Sequence, residues 1–332
     1  MDKIVLGLSG GVDSSVSAQL LKDGGWEVYG LYLDIGLDGG IEEAQKAADF
    51  SGIPLRVLDI RDELEKNVCV PFTRCYLRGE TPNPCIMCNP SVKFRALLDY
   101  ANELGSAHIA TGHYARAENG ALYKGLPAND QSYMLCRLTR EQVSRLVLPL
   151  GGYEKAEVRA MAQTMGVPAA KKPDSMEICF IPDKDYIGWI SRRAAVPPEG
   201  DFVFHGKKLG RHEGVHRYTV GQRRPGLYDG RKLYVSAIDA DKNEVELALW
   251  EELFKTEVRA RDVNWLIDVP AGPVRGSVKV RHTKWEQPAC TVTPLPGGGM
   301  LIETDEPVRA PARGQSAVVY EGNRVICGGY IV

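Results

Sequence analysis

Residues 3–8, Lys-Ile-Val-Leu-Gly-Leu, form a short apolar run that stops at Ser9-Gly10-Gly11, the pattern of a strand buried on both faces. A helical pattern follows over residues 14–22 and ends at Gly24-Gly25. The alternation then repeats. Residues 27–33 read as a strand, 41–50 as a helix, 54–60 as a strand, 62–75 and 92–104 as helices, and 108–111 as a short strand. Further helices fit 154–165 and 184–192. Strands separated by helices build βαβ units, so this part of the chain is predicted to be α/β with a parallel sheet and right-handed crossovers. After Pro197-Pro198 the pattern changes to short apolar runs, 232–238, 244–248, 274–280, 289–293 and 316–320, set apart by Gly, Pro and Asp. That spacing predicts small antiparallel sheets or barrels. Boundaries near residues 200 and 255 divide the chain into 1–199, 200–255 and 256–332.

Composition narrows the class without choosing a function. The 332 residues are 44% hydrophobic and 25% charged, an ordinary globular balance with length for two or three domains. The net charge of −2 excludes a globally basic nucleic-acid coat but leaves room for a local basic face. No apolar run approaches the ~18 residues that span a bilayer. Residues 4–8 run straight into the glycines, unlike a signal peptide, so a cytoplasmic protein with no membrane partner is expected. Eight cysteines are too few for a disulfide scaffold at this size, which leaves some of them for metal or nucleophilic work.

The sharpest local signal is Ser9-Gly10-Gly11-Val12-Asp13-Ser14, where the first strand gives way to the first helix. Glycines there let backbone N–H groups approach an anion, and the helix N-terminus adds unsatisfied donors and positive potential. The Ser9 and Ser14 hydroxyls can donate to phosphate oxygens. Asp13 suits either Mg²⁺ or the helix cap. No Gly-Lys-Ser/Thr follows, so this is not a Walker loop. The bland alternative is a glycine turn with a Ser/Asp cap.

The segment SGGVDSS resembles the PP-loop of the ATP pyrophosphatases, which cleave ATP to AMP and pyrophosphate while adenylating a substrate. Five further segments, taken with the cysteine motif Thr81-Pro82-Asn83-Pro84-Cys85-Ile86-Met87-Cys88-Asn89, narrow the resemblance. They are Ala110-Thr111-Gly112-His113-Tyr114-Ala115-Arg116, Asp130-Gln131-Ser132-Tyr133, Asp174-Ser175-Met176-Glu177-Ile178-Cys179-Phe180-Ile181, Tyr218-Thr219-Val220-Gly221-Gln222-Arg223 and Arg313-Gly314-Gln315-Ser316-Ala317. In this order they resemble the tRNA-specific 2-thiouridylases, the MnmA family. The resemblance implies a PP-loop ATP-binding catalytic domain, a small mostly-β central domain and a C-terminal β-barrel that contacts tRNA.

It also implies ATP-dependent 2-thiolation of the wobble uridine (U34), with AMP and pyrophosphate as products. ATP would meet Gly7, Leu8, Ser9, Gly10, Gly11, Val12, Asp13 and Ser14, with Leu33 at the adenine and Gly112 approaching by its backbone. Asn83, Pro84 and Cys85 would line the target-base pocket. His113, Asn129, Asp130, Gln131, Arg281, His282 and Gln315 would meet tRNA. Asn129 stands where the family commonly has lysine, and His282-Thr283 where it has an aromatic-basic pair. The implied partners are the anticodon loops of Lys, Glu and Gln tRNAs and a persulfide relay protein or cysteine desulfurase. The basic positions Lys207, Lys208, Arg211, His212, Arg217, Arg223, Arg224, Arg231 and Lys232 read as a phosphate track or as a solvated face.

The chemistry suits the residues. The C2 oxygen of uridine leaves only once activated, and adenylation activates it. A thiol then carries sulfane sulfur and a second thiol releases it, which calls for a partly exposed, electropositive site. The resemblance makes Cys88 the nucleophile and Cys179 the persulfide carrier, passing through a transient Cys88–Cys179 disulfide. Cys69, Cys136, Cys290 and Cys327 read as buried structural residues, with Cys75 open. Cys85-x-x-Cys88 lacks the second ligand pair of a zinc site and the setting of a thioredoxin motif. Family members carry Asp or Cys at the position of Cys85. The cysteine form leaves open a [4Fe–4S] cluster on Cys85, Cys88 and Cys179 beside the persulfide route, with Mg²⁺ expected alongside ATP. Two other functions fit parts of the pattern: a PP-loop amidoligase, which would need a glutaminase domain, and a tRNA-binding sulfur carrier with a vestigial ATP loop.

Overall fold

The computed structural model describes residues 1–173, 178–224, 230–281 and 287–332. These fall into two units. One comprises Met1–Val68, Cys85–Phe180 and Asn323–Val325, the other Cys69–Pro84, Ile181–Gly322 and Ile326–Val332.

The first unit is built on β1 (Lys3–Gly7), whose fully buried Ile4, Val5 and Leu6 explain its unbroken apolar run. Around it stand β2 (Glu27–Asp34), β3 (Leu55–Asp59), β4 (His108–Ala110) and, beyond a hairpin of β5 (Ala115–Glu118) and β6 (Ala121–Lys124), β7 (Leu146–Val147). The sheet order is β3-β2-β1-β4-β7, and every pair is parallel. Strand order therefore reverses between β1 and β4, and the crevice outside their C-terminal ends is where open α/β sheets bind ligands.

Helix α1 (Val12–Asp23) carries few large apolar residues and packs closely because Ser14, Ser15, Ser17 and Ala18 are small. Its hydroxyls are satisfied internally, Ser15 donating to the Gly11 carbonyl and Ser17 to that of Asp13, each at 2.8 Å. Helix α2 (Gly40–Ser51) starts close to the loop before α1. Gly10 has φ +76°, and a Cβ there would lie 2.5 Å from the Glu43 carbonyl carbon. Gly10→Ala should therefore lower unfolding free energy by about 2 kcal/mol or more. Urea denaturation checks this; an unchanged midpoint would mean that the loop rebuilds freely.

The expected helix at 62–75, and the entry to the one expected at 92–104, pass through π-helical turns beside a proline that lacks an N–H. The segment expected at 62–75 runs as α3 (Arg61–Leu64), a π-helical turn at Glu65–Cys69, and α4 (Val70–Leu77) with Pro71 in its first turn. Likewise α5 (Pro84–Cys88) passes through a π-helical turn at Asn89–Lys93 into α6 (Phe94–Glu103). Pro71 and Pro90 cannot donate the i→i−4 bond, so the backbone widens there, as π-bulges do, and such turns recur at functional sites. Side chains pin the second turn: Asn89 donates to the Met134 carbonyl and Gln142 to that of Pro90, both at 2.8 Å. Gln142 lies on α7 (Arg140–Ser144), which opens with a Thr139 capping box.

Helix α8 (Lys155–Met165) joins Val12, Val16 and Tyr114 in one apolar cluster through Val158 and Ala162. This cluster brings α1, the turn after β4 and the start of α8 together.

In the second unit, α4 and α9 (Tyr186–Ser191) accompany a mixed sheet and a barrel. The sheet contains β8 (Gly200–Phe204), β9 (Lys207–His212), β10 (Arg223–Arg224), β11 (Leu233–Asp239) and β12 (Glu244–Ala248), ordered β10-β11-β12-β8-β9. Its core holds Phe202, Val215, Leu233, Val235, Val245 and Leu247. The barrel comprises β13 (Phe254–Trp265), β14 (Val274–Lys279), β15 (Ala289–Leu295), β16 (Gly299–Arg309), β17 (Ser316–Glu321) and β18 (Arg324–Ile331). The order β13-β16-β15-β14-β17-β18 returns from β18 to β13, which removes the open edges. The expected class, a parallel α/β domain followed by small β structures and a barrel, is the one observed. No helix among the described residues is long and apolar enough to cross a membrane.

Candidate functional site

Two loops at the switch point meet around Asp13. The loop after β1 closes on itself: the Ser9 and Ser14 hydroxyls lie 3.1 Å apart, and Ser14 Oγ accepts from the Ser9 N–H at 3.2 Å. Gly11 caps α1 with extended backbone and no side-chain cap bond, so the first-turn N–H groups face the loop. The turn after β4 presses on the same place. A Cβ at Gly112 would lie 3.1 Å from Asp13 backbone and side chain, which accounts for glycine there. Leu33, half-buried near the C-terminal end of β2, pairs in register with Leu58.

The expected capping role of Asp13 does not match its bonds. Its side chain caps no N–H: one carboxylate oxygen accepts from the Tyr114 hydroxyl at 2.7 Å, and the other meets the Lys155 ammonium at 2.5 Å. The carboxylate fits an anchor for a tyrosine and a lysine.

The thiols form a second group in the same unit. Cys85 and Cys88 sit on α5, one turn apart, with Cys85 exposed and Cys88 half-buried. Cys179 arrives from a distant, exposed segment whose preceding motif residues Asp174, Ser175, Met176 and Glu177 lie outside the described residues. Its thiol is pushed up to about 11, chiefly by desolvation, then by the Cys88 and Cys85 thiols, with Lys93 pulling the other way. Burial also raises Cys88, again opposed by Lys93. The expected cation is therefore present, yet desolvation outweighs it and both groups favour the protonated thiol. Cys179 is exposed as a residue, while its thiol is desolvated by the groups around it.

Iodoacetamide labelling of Cys179 should accordingly climb with pH, with its half-point near 11, since a thiol at about 11 is ionised on the order of 10⁻⁴ at pH 7. A half-point below 9 would show that Lys93 outweighs burial. Among the described residues, no three His, Cys, Asp or Glu side chains gather closely enough to hold a metal ion.

His113 belongs to this group. Its Nδ1 lies 2.7 Å from the Thr111 hydroxyl, its ring stacks against Phe94 at 6.0 Å, and burial with Lys93 nearby lowers it to about 3. It is a neutral imidazole at physiological pH. The 129–131 turn is wired into the backbone. Buried Asp130 accepts from the Gly125 and Ser132 N–H groups at 3.0 Å, and Gln131 accepts from the Tyr114 N–H at 3.0 Å. Asn129, with its amide turned to satisfy both neighbours, accepts from the Lys155 backbone N–H at 2.7 Å.

The remaining expected contacts lie in the second unit. Asn83 is half-buried and Pro84 buried, following Thr81, whose N–H donates to the Arg313 carbonyl at 2.7 Å. Gln315 donates to the Thr81 carbonyl at 2.8 Å, while Arg281 donates to the Val220 and Ala310 carbonyls. Both therefore brace the backbone. His282 lies outside the described residues. Several members of the basic run are committed to other groups. His212 is buried, Lys208 and Arg211 pair with Asp201, Arg217 pairs with Glu213, and Arg224 stacks over Phe202 and Tyr218. Cys69, Cys136, Cys290 and Cys327 are buried as expected, and burial pushes the open case, Cys75, to about 12. Lys93 and Lys155 were not flagged by the sequence. The one available signal was a lysine at the very start of α8, against the helix dipole.

A parallel sheet with a glycine loop at its switch point, followed by two β modules, defines the class, and sequence profiles agree. The tRNA methyl transferase HUP domain matches residues 2–183, the tRNA methyl transferase PRC-barrel domain 191–248, and the aminomethyltransferase β-barrel domain 255–331. The tRNA-specific 2-thiouridylase MnmA of Geobacter metallireducens is 41% identical over 99% of this chain and 96% of its own. That of Syntrophotalea carbinolica is 42% identical over 99% and 98%. A solved 4-thiouridine synthetase–RNA complex with bound ATP matches 57% of this chain and 50% of its own, at 20% identity and a TM-score of 0.38. The chain belongs to the tRNA-specific 2-thiouridylase (MnmA) family.

Proposed function

We propose that this protein 2-thiolates the wobble uridine of tRNA, using ATP at the Gly7–Ser14 loop and sulfur carried on Cys179. The observation that carries the reading is the meeting of thiols from two distant segments, Cys88 and Cys179, beside Lys93 in the unit that holds the loop. In the first step the uridine C2 oxygen attacks the α-phosphorus of ATP. A bond to that oxygen forms, the bond to the β-phosphate breaks, and pyrophosphate leaves. Mg²⁺ bound to the nucleotide would neutralise part of its phosphate charge.

The second step needs no metal. A donor persulfide, from a cysteine desulfurase or relay protein, passes its outer sulfur to Cys179. The Cys88 thiolate attacks the inner sulfur of that persulfide, forming the Cys88–Cys179 disulfide and releasing hydrosulfide. Hydrosulfide adds at C2 and AMP departs. An external dithiol supplies the two electrons that reopen the disulfide. Cys88 must lose its proton to attack, so burial opposes this step and Lys93, which favours the thiolate, assists it. An unpaired anticodon-loop base reaches such a site more cheaply than one in a duplex. Lys, Glu and Gln tRNAs are the proposed substrates, with Asn83, Pro84 and Cys85 around the base.

Pyrophosphate release separates this reading from a sulfur carrier with an idle ATP loop. The protein with ATP should release pyrophosphate only when unmodified tRNA is present. Release without tRNA, or none with it, would contradict the proposal.

A further inference from the structure

Lys155 occupies a position that helix energetics disfavour. It is the first residue of α8, where the dipole is positive and a cation is repelled. Its base is nonetheless held firmly. Glu154 and Glu157 form a capping box, Asn129 accepts from the Lys155 N–H, and Val158 and Ala162 are buried with Val12, Val16 and Tyr114. The side chain reaches out of this frame to the first turn of α1. Its ammonium meets Asp13 Oδ2 at 2.5 Å and lies 5.3 Å from the Tyr114 ring centroid, while the Tyr114 hydroxyl donates to Asp13 Oδ1 at 2.7 Å. The ammonium thus stands at the first turn of α1, beside the end that favours anions. The loop sequence Ser9-Gly10-Gly11-Val12-Asp13-Ser14-Ser15 itself contains no lysine or arginine. A Walker loop carries its lysine within the motif; here the chain brings one from α8 instead.

We propose that Lys155 binds the β- and γ-phosphates of ATP, and the pyrophosphate they become, with Asp13 and Tyr114 orienting its ammonium. This rests on the ATP reading above. In the transition state, negative charge builds on the bridging oxygen to the β-phosphate, and an ammonium held there stabilises the departing pyrophosphate. Asp13 then acts through Lys155 as a positioning residue.

The alternative is a strap that merely ties α8 to α1, and nucleotide affinities tell the two apart. The full-length protein, K155M and K155R would be titrated calorimetrically with ATP, inorganic pyrophosphate and AMP. Loss of one charge-assisted contact predicts that K155M binds ATP and pyrophosphate about 10- to 100-fold more weakly. AMP, which lacks the outer phosphates, should bind within about twofold of wild type, and K155R should recover most of the loss. Wild-type ATP and pyrophosphate affinity in K155M would overturn the assignment. So would an equal loss for AMP, or a K155M that does not fold, since either makes Lys155 a strap. Wild-type protein that binds none of the three removes the ATP reading, and the assignment with it.

Discussion

Serine at position 179 will abolish persulfide loading from a cysteine desulfurase or relay protein. Serine at position 88 will leave loading intact and cut 2-thiouridine formation by about 10³-fold or more. The split follows from the two environments. Cys179 is an exposed residue that a protein donor can approach, whereas Cys88 is half-buried on α5. A hydroxyl in place of either sulfur cannot form or cleave a sulfur–sulfur bond, so the loss is chemical and does not depend on a change of fold. Mass spectrometry of the loaded protein reads the first step, and nucleoside analysis of tRNA reads the second. Loading retained in Cys179→Ser and lost in Cys88→Ser would exchange the two roles. Mild oxidation of the wild type should give the Cys88–Cys179 disulfide, provided the Cα atoms come within ~7 Å. Cys85→Asp should keep activity, since the route uses no third thiol; its loss would bring the cluster back into contention.

The second large effect lies at the loop. Asp13→Ala removes both the acceptor of the Tyr114 hydroxyl and the partner of the Lys155 ammonium. Pyrophosphate release should fall about 10²- to 10³-fold, the scale of losing one aligned electrostatic group. Binding of tRNA should change by less than about twofold, because phosphate contacts from basic residues elsewhere are untouched. Release assayed beside filter binding of tRNA separates the two. Wild-type release by the variant would contradict any role for Asp13 in adenylation.

The α/β half was legible because its strands are continuous apolar runs and its helices are bounded by glycine, as at β1 and Gly24-Gly25. The π-helical turns were not, since periodicity does not register the widening imposed by Pro71 and Pro90. The β5–β6 hairpin carried a readable signal that apolar pattern alone passes over. Asn119 and Gly120 both have positive φ, the geometry of a tight two-residue turn. Strand β13 stayed hidden because its buried residues are chiefly Val258 and Ala260 among alternating charges, and β18 because Gly328-Gly329 interrupts it.

At the site, motif resemblance singled out the loop and the thiols, but not what surrounds them. Lys93 and Lys155 act through distance in space, which spacing along the chain does not encode. Similarly, Gln131, Gln315 and Arg281 look like free polar side chains in sequence, whereas the structure commits them to backbone groups.

The most direct measurement is mass spectrometry of nucleosides from unmodified Glu tRNA after incubation with purified protein, ATP and sulfide. The account predicts 2-thiouridine at the wobble position, dependent on ATP and formed by aerobically purified, iron-free protein. No 2-thiouridine under these conditions, or its appearance only after anaerobic iron–sulfur reconstitution, would contradict it.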